Sequence, residues 1–250
     1  MALNFEKIGE YYDLFYQSKP YEDEVVYLDK QIKTLHPDAK TVVDLGSGTG
    51  VHAKLLHQKG YNVHGIEISE KMFNIANREA KTGLSFQNAD IRSFKSETKF
   101  DIALSLFHVI SYLNDNQSLI EAFQNINQHL HQGGLFIFDV WYSPAVYHQK
   151  PETRVKRLEQ GEVSIVRIAE STMHISKNMV EVNYEILIKS FETDETDRLT
   201  ETHNMRHFST PEIELLAKLT NFELLSSEEF LTGKAPSEDT WGVCYILKKI

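Results

Sequence analysis

Cysteine is nearly absent from this 250-residue chain. Cys244 is alone, so no internal disulfide can form, and its place in an apolar, strand-like run predicts a buried, unreactive thiol. The longest apolar run, residues 102–113, is too short to cross a membrane and contains His108. The N-terminus carries acids and no long apolar core, which argues against a signal peptide. We therefore expect a cytoplasmic protein without a membrane partner.

Positive charge is also in short supply. The chain has 26 Lys and Arg against 36 Asp and Glu, a net charge of -10 at pH 7. Because binding to nucleic acid needs clustered cations that neutralise phosphates, this balance argues against a nucleic-acid partner. The sequence has no His-Glu-x-x-His and no Cys-x-x-Cys, so we expect no metal site. Its length fits one α/β domain with an elaboration, or two small domains.

Three alternate glycines mark the stretch around which the rest of the chain is organised. Gly46, Gly48 and Gly50 follow an apolar strand that ends at Asp44, and helical apolar spacing begins directly after them. Glycines permit a tight turn in which the backbone approaches a ligand, and the helix N-terminus adds N–H groups and a positive dipole end. The dinucleotide fingerprint is G-x-G-x-x-G, but Val51 stands where its third glycine would be.

Acids follow the next two predicted strands. Glu67 ends the strand at residues 61–66, about 20 residues beyond the glycine turn, where an acid can accept both hydroxyls of a ribose. A surface glutamate is the plainer interpretation. Asp90 and Ile91 follow a third short strand, where an acid could bond an adenine amino group and the aliphatic side chain could pack on the ring.

Strands alternating with helices predict a doubly wound sheet. Continuous apolar character at residues 100–107 indicates a fourth strand that is covered on both faces. An amphipathic helix follows, which we expect to end at Gly133-Gly134, and a fifth strand spans residues 135–140.

The apolar spacing then changes to period two over residues 152–207, which predicts an antiparallel insertion of three or four strands. Residues 209–212 read Ser-Thr-Pro-Glu, a capping box for a further helix. Two last strands are predicted at residues 222–230 and 241–247.

The order of these features resembles that of the class I S-adenosylmethionine (SAM) methyltransferases. The resemblance implies an α/β fold: a doubly wound, seven-stranded, Rossmann-like methyltransferase sheet with an antiparallel β insertion after strand 5. It implies a SAM-binding domain at 1–150 and 209–250, with an N-terminal lid and helix at 1–36. Residues 151–208 would then form the insertion and cover the acceptor site.

Three short segments look like the dTDP-amino-sugar N,N-dimethyltransferases of antibiotic biosynthesis: Tyr12-Asp13-Leu14-Phe15-Tyr16, Ser111-Tyr112-Leu113 and Trp141-Tyr142. By position, this resemblance implies that the cofactor is bound by Tyr12, Tyr16, Tyr21, Asp44, Gly46, Gly48, Glu67, Ile68, Met72, Asp90, Ile91 and Leu106. It likewise places at the acceptor Tyr112, Asp139, Trp141, Tyr142, Arg206 and His207.

Methyl transfer from a sulfonium is an in-line displacement, so much of the catalysis can come from holding the nucleophile in near-attack geometry. An amine acceptor must arrive neutral, and a hydroxyl acceptor would profit from a general base. The candidate bases are His108, Asp139, His203 and His207, and His108 is the best placed, at the carboxyl end of strand 4. Arg206 could bind a phosphate or carboxylate of the acceptor, or form a salt bridge with a nearby acid.

We therefore expect a SAM-dependent methyltransferase that acts on an amine or hydroxyl of a small polar acceptor, such as a free or nucleotide-linked sugar, and releases S-adenosylhomocysteine. A noncatalytic SAM-binding regulatory subunit is an alternative. An NAD-dependent oxidoreductase is disfavoured by Val51, and a nucleic-acid methyltransferase by the absence of a base-flipping motif. A homodimeric assembly stays open.

Overall fold

A computed structural model of the chain describes residues 15–16 and 19–250. The strands are β1 (Thr41–Leu45), β2 (Asn62–Glu67), β3 (Leu84–Asn88), β4 (Phe100–Ser105), β5 (Leu130–Trp141), β6 (Arg154–Gln160), β7 (Val163–His174), β8 (Met179–Ser190), β9 (Thr196–Arg206), β10 (Phe222–Glu229) and β11 (Gly242–Lys249). The α-helices are α1 (Tyr21–Leu35), α2 (Val51–Gln58), α3 (Glu70–Asn77), α4 (Asn116–His129), α5 (Ser143–Gln149) and α6 (Thr210–Leu219). Single 3₁₀ turns lie at Val109–Tyr112 and Ile175–Lys177.

The larger sheet has seven strands in the order β10-β11-β5-β4-β1-β2-β3. Strands β1 to β5 pair in parallel, whereas β11 runs antiparallel to both β5 and β10. This confirms the predicted doubly wound, seven-stranded sheet. The carboxyl ends of the parallel strands meet at one edge, where α/β sheets of this type bind ligands.

Helices cover both faces of this sheet, as the continuous apolar strands require. On one face the buried side chains of α4 and α6, such as Phe123 and Ile213, pack with Phe136 and Phe138 of β5. The other face buries the side chains of α1 and α2 against the alternate residues of the same strands. Cys244 is fully buried in this second layer, and its burial raises the pKa of the thiol well above its ordinary value, as expected of an unreactive cysteine.

The insertion forms a separate four-stranded antiparallel sheet in the order β6-β7-β8-β9. Its strands are joined by turns after Gln160, near Asn178 and at the acids between Ser190 and Thr196. One face of this sheet, called the inner face here, packs on the N-terminal segment at Phe15 and on the loops of the large sheet near Tyr112. The inner face bears Arg154, Lys156, Leu158, Ile165, Arg167, Val180, Val182, Tyr184, Ile186, Ile188, Leu199, Glu201, His203 and Met205.

One helix boundary and one helix cap differ from the sequence prediction. Helix α4 ends at His129, ahead of the glycine pair, because Leu130 already pairs with Phe100 in the large sheet. The capping box of α6 does not form: Ser209 makes no capping hydrogen bond. The glutamate that would close the box, Glu212, instead accepts a hydrogen bond from Arg206.

Strand β4 is shorter than predicted, because the backbone leaves the strand conformation after Ser105. Phe107 and His108 both have left-handed backbone angles, with φ of 62° and 63°. Helix α5 was not predicted at all. Among the described residues, no helix is both long enough and apolar enough to cross a membrane.

Candidate functional site

The glycine turn lies against the loop that follows β4. Gly46 and Gly48 have φ of 73° and 57°, in the left-handed region that glycine adopts readily. A Cβ added to Gly46 would lie 2.6 Å from a methyl carbon of Val109, so the turn directly abuts the residue after His108. A Cβ added to Gly48 would meet no atom within 4 Å. The backbone at Gly48 is therefore open to a ligand.

Two buried carboxylates flank this turn. Asp44 is almost fully buried, and its Oδ2 has no hydrogen-bond partner among the described residues. Burial raises the pKa of Asp44 to about 6. The Glu67 carboxylate accepts hydrogen bonds at 2.8 Å from the backbone N–H groups of Gly48 and Ser69. A carboxylate offers about four acceptor positions, so Glu67 retains capacity for ribose hydroxyls.

Aromatic rings and one lysine line the N-terminal side of the site. The Tyr16 ring packs edge-on against Phe107, with centroids 4.9 Å apart. The Lys19 Nζ lies 4.4 Å from the centre of the Tyr21 ring and 4.8 Å from that of Phe107, and it forms an ion pair with Glu24. Tyr16 therefore contacts the residue before His108, and Lys19 lies close to both Tyr21 and that residue. Tyr12, the third predicted tyrosine, lies outside the described residues.

His108 and Asp139 form a close pair at the ends of β4 and β5. The Nδ1 atom of His108 lies 2.6 Å from Oδ2 of Asp139, and the His108 backbone N–H donates to Oδ1 at 3.3 Å. Burial alone would raise the pKa of Asp139, but the adjacent His108 ring outweighs it, so the carboxyl pKa lies below its ordinary value. The Asp139 side chain is 2% exposed and that of His108 is 21% exposed.

This pair is the part of the site that could accept a proton. Because Nδ1 of His108 lies 2.6 Å from a carboxylate oxygen, Nε2 is the ring nitrogen left to take a proton. The left-handed backbone at His108 is unfavourable for a residue with a side chain, and such conformations concentrate at functional sites. The Trp141 ring lies 6.1 Å from the His108 ring, centre to centre, so Trp141 borders the pair.

The remaining predicted cofactor residues differ in their burial. Met72, Ile91 and Leu106 are buried, whereas Ile68 is exposed. The carboxylate of Asp90 is held by Arg92, whose Nε donates to both oxygens at 3.0 Å. Arg92 follows two residues after Asp90, and the sequence analysis gave it no role. An adenine amino group would compete with this guanidinium for Asp90.

A buried hydrogen-bonded chain joins the large sheet to the insertion. The Tyr112 hydroxyl lies 2.8 Å from Nδ1 of His203, and Nε2 of His203 lies 3.1 Å from Oε2 of Glu201. Oε1 of Glu201 is buried and has no partner among the described residues. Glu201 was missed by the sequence analysis, although alternation along a strand places it on the same face as His203.

Arg206 and His207 are directed away from the His108–Asp139 pair. Strand alternation puts Arg206 on the face of β9 opposite to His203, where its Nη2 lies 2.5 Å from Glu212. The His207 ring is buried against the Ser143 hydroxyl, at 2.8 Å, and burial lowers its pKa to about 4. Tyr142 packs on the core around α4 and α6. No three His, Cys, Asp or Glu among the described residues are grouped to hold a metal.

Comparison with known proteins agrees with this geometry. Residues 42–134, which include the glycine turn, Glu67 and the His108 loop, match the sequence family described as a methyltransferase domain. The similarity in sequence to this family therefore falls on the part of the chain that forms the glycine turn and the strands around it.

One curated relative is the dTDP-3-amino-3,4,6-trideoxy-alpha-D-glucopyranose N,N-dimethyltransferase of Streptomyces venezuelae, which is 28% identical over 141 residues. The match spans 56% of this chain and 59% of that relative.

Two solved structures share the fold over nearly the full length of both chains. A SAM-dependent methyltransferase from Clostridium acetobutylicum has a TM-score of 0.83 at 20% identity, with 98% of each chain covered. A SAM-bound amino pentose methyltransferase from Micromonospora echinaspora has a TM-score of 0.78 at 19% identity, with 96% of each chain covered.

Proposed function

We propose that this protein transfers the methyl group of SAM to an amino or hydroxyl group of a small sugar-like acceptor. The observation that carries the proposal is the His108–Asp139 pair, which supplies a partly exposed base next to the glycine turn. The acceptor class is supported by the names of the similar proteins, which act on amino sugars.

The described residues fit the cofactor. Open space at Gly48 admits a ligand to the backbone, Glu67 can accept ribose hydroxyls, and the unpartnered Oδ2 of Asp44 can accept a hydrogen bond from an ammonium group. SAM would supply an electrophilic methyl group on a sulfonium. The protein's own part is to position the acceptor and to manage its proton.

His108 is proposed as the general base. Its Nε2 would accept the proton that an acceptor ammonium or hydroxyl must lose, and the Asp139 carboxylate would stabilise the imidazolium that results. The Trp141 ring beside His108 offers an apolar surface for a sugar ring. We further propose that the insertion, residues 151–208, covers this acceptor site, since its inner face packs on Tyr112 and Trp141.

The first test replaces the base. We expect His108→Gln to lower the rate of S-adenosylhomocysteine formation with sugar amines and sugar hydroxyls by about 10²- to 10⁴-fold, the range typical of a general base. The affinity for S-adenosylhomocysteine, measured by calorimetric titration with NAD in parallel, should change little, because Gly48 and Glu67 are untouched.

His131→Ala is the matched control, since His131 is exposed at the other end of β5 and should not affect the rate. Wild-type turnover by the His108→Gln protein would contradict the proposed base. Binding of S-adenosylhomocysteine without turnover on any acceptor would instead favour the regulatory-subunit alternative.

A further inference from the structure

Two cations face each other on the inner face of the insertion. Lys156 of β6 and Arg167 of β7 are directly opposite in the antiparallel register. Like charges in that position destabilise a sheet. Ile165 and Ile186, on the same face, are buried apolar residues, so the pair interrupts a surface that otherwise packs as a core. We therefore expect a negatively charged or electron-rich group to lie close to the two cations and offset their repulsion.

No carboxylate provides that contact. Among the described residues, no Asp or Glu forms an ion pair with Arg167. Three other arginines of the chain do have carboxylate partners, at distances of 2.5 to 2.6 Å: Arg92, Arg198 and Arg206. In a protein with a net charge of -10 acids are plentiful, so an arginine without a carboxylate partner among the described residues is an unusual feature.

The contacts of Arg167 are aromatic. Its guanidinium carbon lies 5.0 Å from the centre of the Phe15 ring, 5.8 Å from that of Tyr16 and 5.2 Å from that of Tyr184. Nη1 donates to the Tyr16 hydroxyl at 3.4 Å. A guanidinium has five N–H donors, and the others form no hydrogen bond with the described residues. Lys156 donates to the backbone carbonyl of Phe15, and burial together with Arg167 lowers its pKa.

These aromatic contacts place the cations beside the acceptor site. Tyr16, which Arg167 touches, packs against Phe107, the residue before His108. Tyr184, on the other side of Arg167, contacts the His203 ring with centroids 4.9 Å apart. An acceptor that reached His108 could therefore extend along Tyr16 to Arg167.

We propose that Arg167 and Lys156 form an anion subsite that binds a phosphate or carboxylate group of the methyl acceptor. This inference rests on the proposed function, because it concerns the acceptor of the same reaction. The planar guanidinium can bind two oxygens of one anion side by side, and Lys156 adds a point charge. The anion removes the repulsion between the two cations, and the reactive group of the acceptor is then directed toward His108.

The test is a binding measurement that needs no turnover. Protein saturated with S-adenosylhomocysteine is titrated calorimetrically with inorganic pyrophosphate and, separately, with malonate, which distinguishes a phosphate group from a carboxylate. We expect saturable binding of at least one anion, and a loss of tenfold or more in its affinity on Arg167→Gln, since hydrogen bonds between charged groups are the strong ones. Lys156→Gln should lower the same affinity, and Arg167→Lys should lose less than Arg167→Gln.

Arg157→Gln is the matched control, because Arg157 is an exposed arginine on the opposite face of β6 and its removal changes the net charge equally. The proposal is overturned if neither anion binds the wild-type protein, or if Arg167→Gln and Arg157→Gln have equal effects. A lower melting temperature of Arg167→Gln with unchanged anion affinity would show that Arg167 only fastens the insertion to the Phe15 segment. Failure of the proposed function would appear separately, as absent binding of S-adenosylhomocysteine or absent turnover.

Discussion

Buried charge at single residues decides how this site responds to pH. Asp44 lies fully buried at the end of β1, and burial raises its pKa from an ordinary value of 3.8 to about 6. The ionised carboxylate is therefore a cost to the folded protein that a positively charged ligand group can relieve. Asp139 is the opposite case: its Oδ2 lies 2.6 Å from Nδ1 of His108, and the pKa of the carboxyl lies below its ordinary value.

Replacing Asp44 should separate stability from cofactor binding. Between about pH 4 and pH 6 the folded protein keeps a proton on Asp44 that the unfolded chain has released, so its contribution to stability falls as the pH rises. The total loss is on the order of 3 kcal/mol above that window. Asp44→Asn removes this loss. The free energy of unfolding of the wild type minus that of the variant should therefore decrease between pH 4 and pH 7.

Chemical denaturation of both proteins at the two pH values measures this difference. The same variant should bind SAM more weakly than the wild type. A difference in unfolding free energy that does not change with pH would show that Asp44 titrates normally in the folded protein.

At the scale of elements, one part of the glycine turn packs against the protein and another part is open to a ligand. Gly46 packs against the loop after β4, whereas Gly48, two residues further along, faces open space among the described residues. The same substitution at these two positions should therefore have different effects.

We expect Gly46→Ala to unfold at a lower temperature than Gly48→Ala. Both changes place a side chain at positive φ, at a cost of about 1 to 2 kcal/mol, but only Gly46→Ala adds a contact of 2.6 Å with Val109. Gly48→Ala should keep most of its stability and lose affinity for SAM, because its methyl group would project into the open side of the turn. Thermal unfolding and calorimetric titration of both variants test this. Equal melting temperatures would contradict the packing argument.

At the scale of the whole molecule, two sheets meet at a polar contact. The Tyr112–His203–Glu201 chain is buried between the loops of the large sheet and the insertion, so it fixes how the insertion lies over the His108 loop. Burial raises the pKa of Tyr112 well above its ordinary value, so the hydroxyl stays protonated near neutral pH.

Tyr112→Phe should loosen this contact without disturbing the cofactor. We expect a loss of about 1 kcal/mol in the free energy of unfolding, as for one buried hydrogen bond, and a higher KM for the acceptor with unchanged SAM affinity. Tyr147→Phe is the control, because the Tyr147 hydroxyl bonds Asn178 of the insertion at an exposed position. A similar rise in KM in both variants would exclude a specific role for the Tyr112 contact.

Local sequence determined the parts that depend on neighbours along the chain. The period of the apolar residues distinguished the parallel strands from the insertion, and the glycines at 46, 48 and 50 marked the turn, because positive φ is a local requirement. A helix cap is equally local: the hydroxyl of Ser69, the residue before α3, accepts a hydrogen bond from the backbone N–H of Met72. The alternation of strands and helices predicted a doubly wound sheet, and the resemblance to the class I SAM methyltransferases implied its seven strands.

Only the tertiary structure decided which side chains meet. The closeness of His108 and Asp139, 31 residues apart, depends on the pairing of β4 with β5. Glu201 and Arg206 lie on opposite faces of β9, and the pairing of β9 with β8 decides that Glu201 is the one on the inner face. The opposed Lys156 and Arg167 follow from the same cause: a shift of one residue in an antiparallel pair moves every side chain to the other face, and the sequence alone does not state the register.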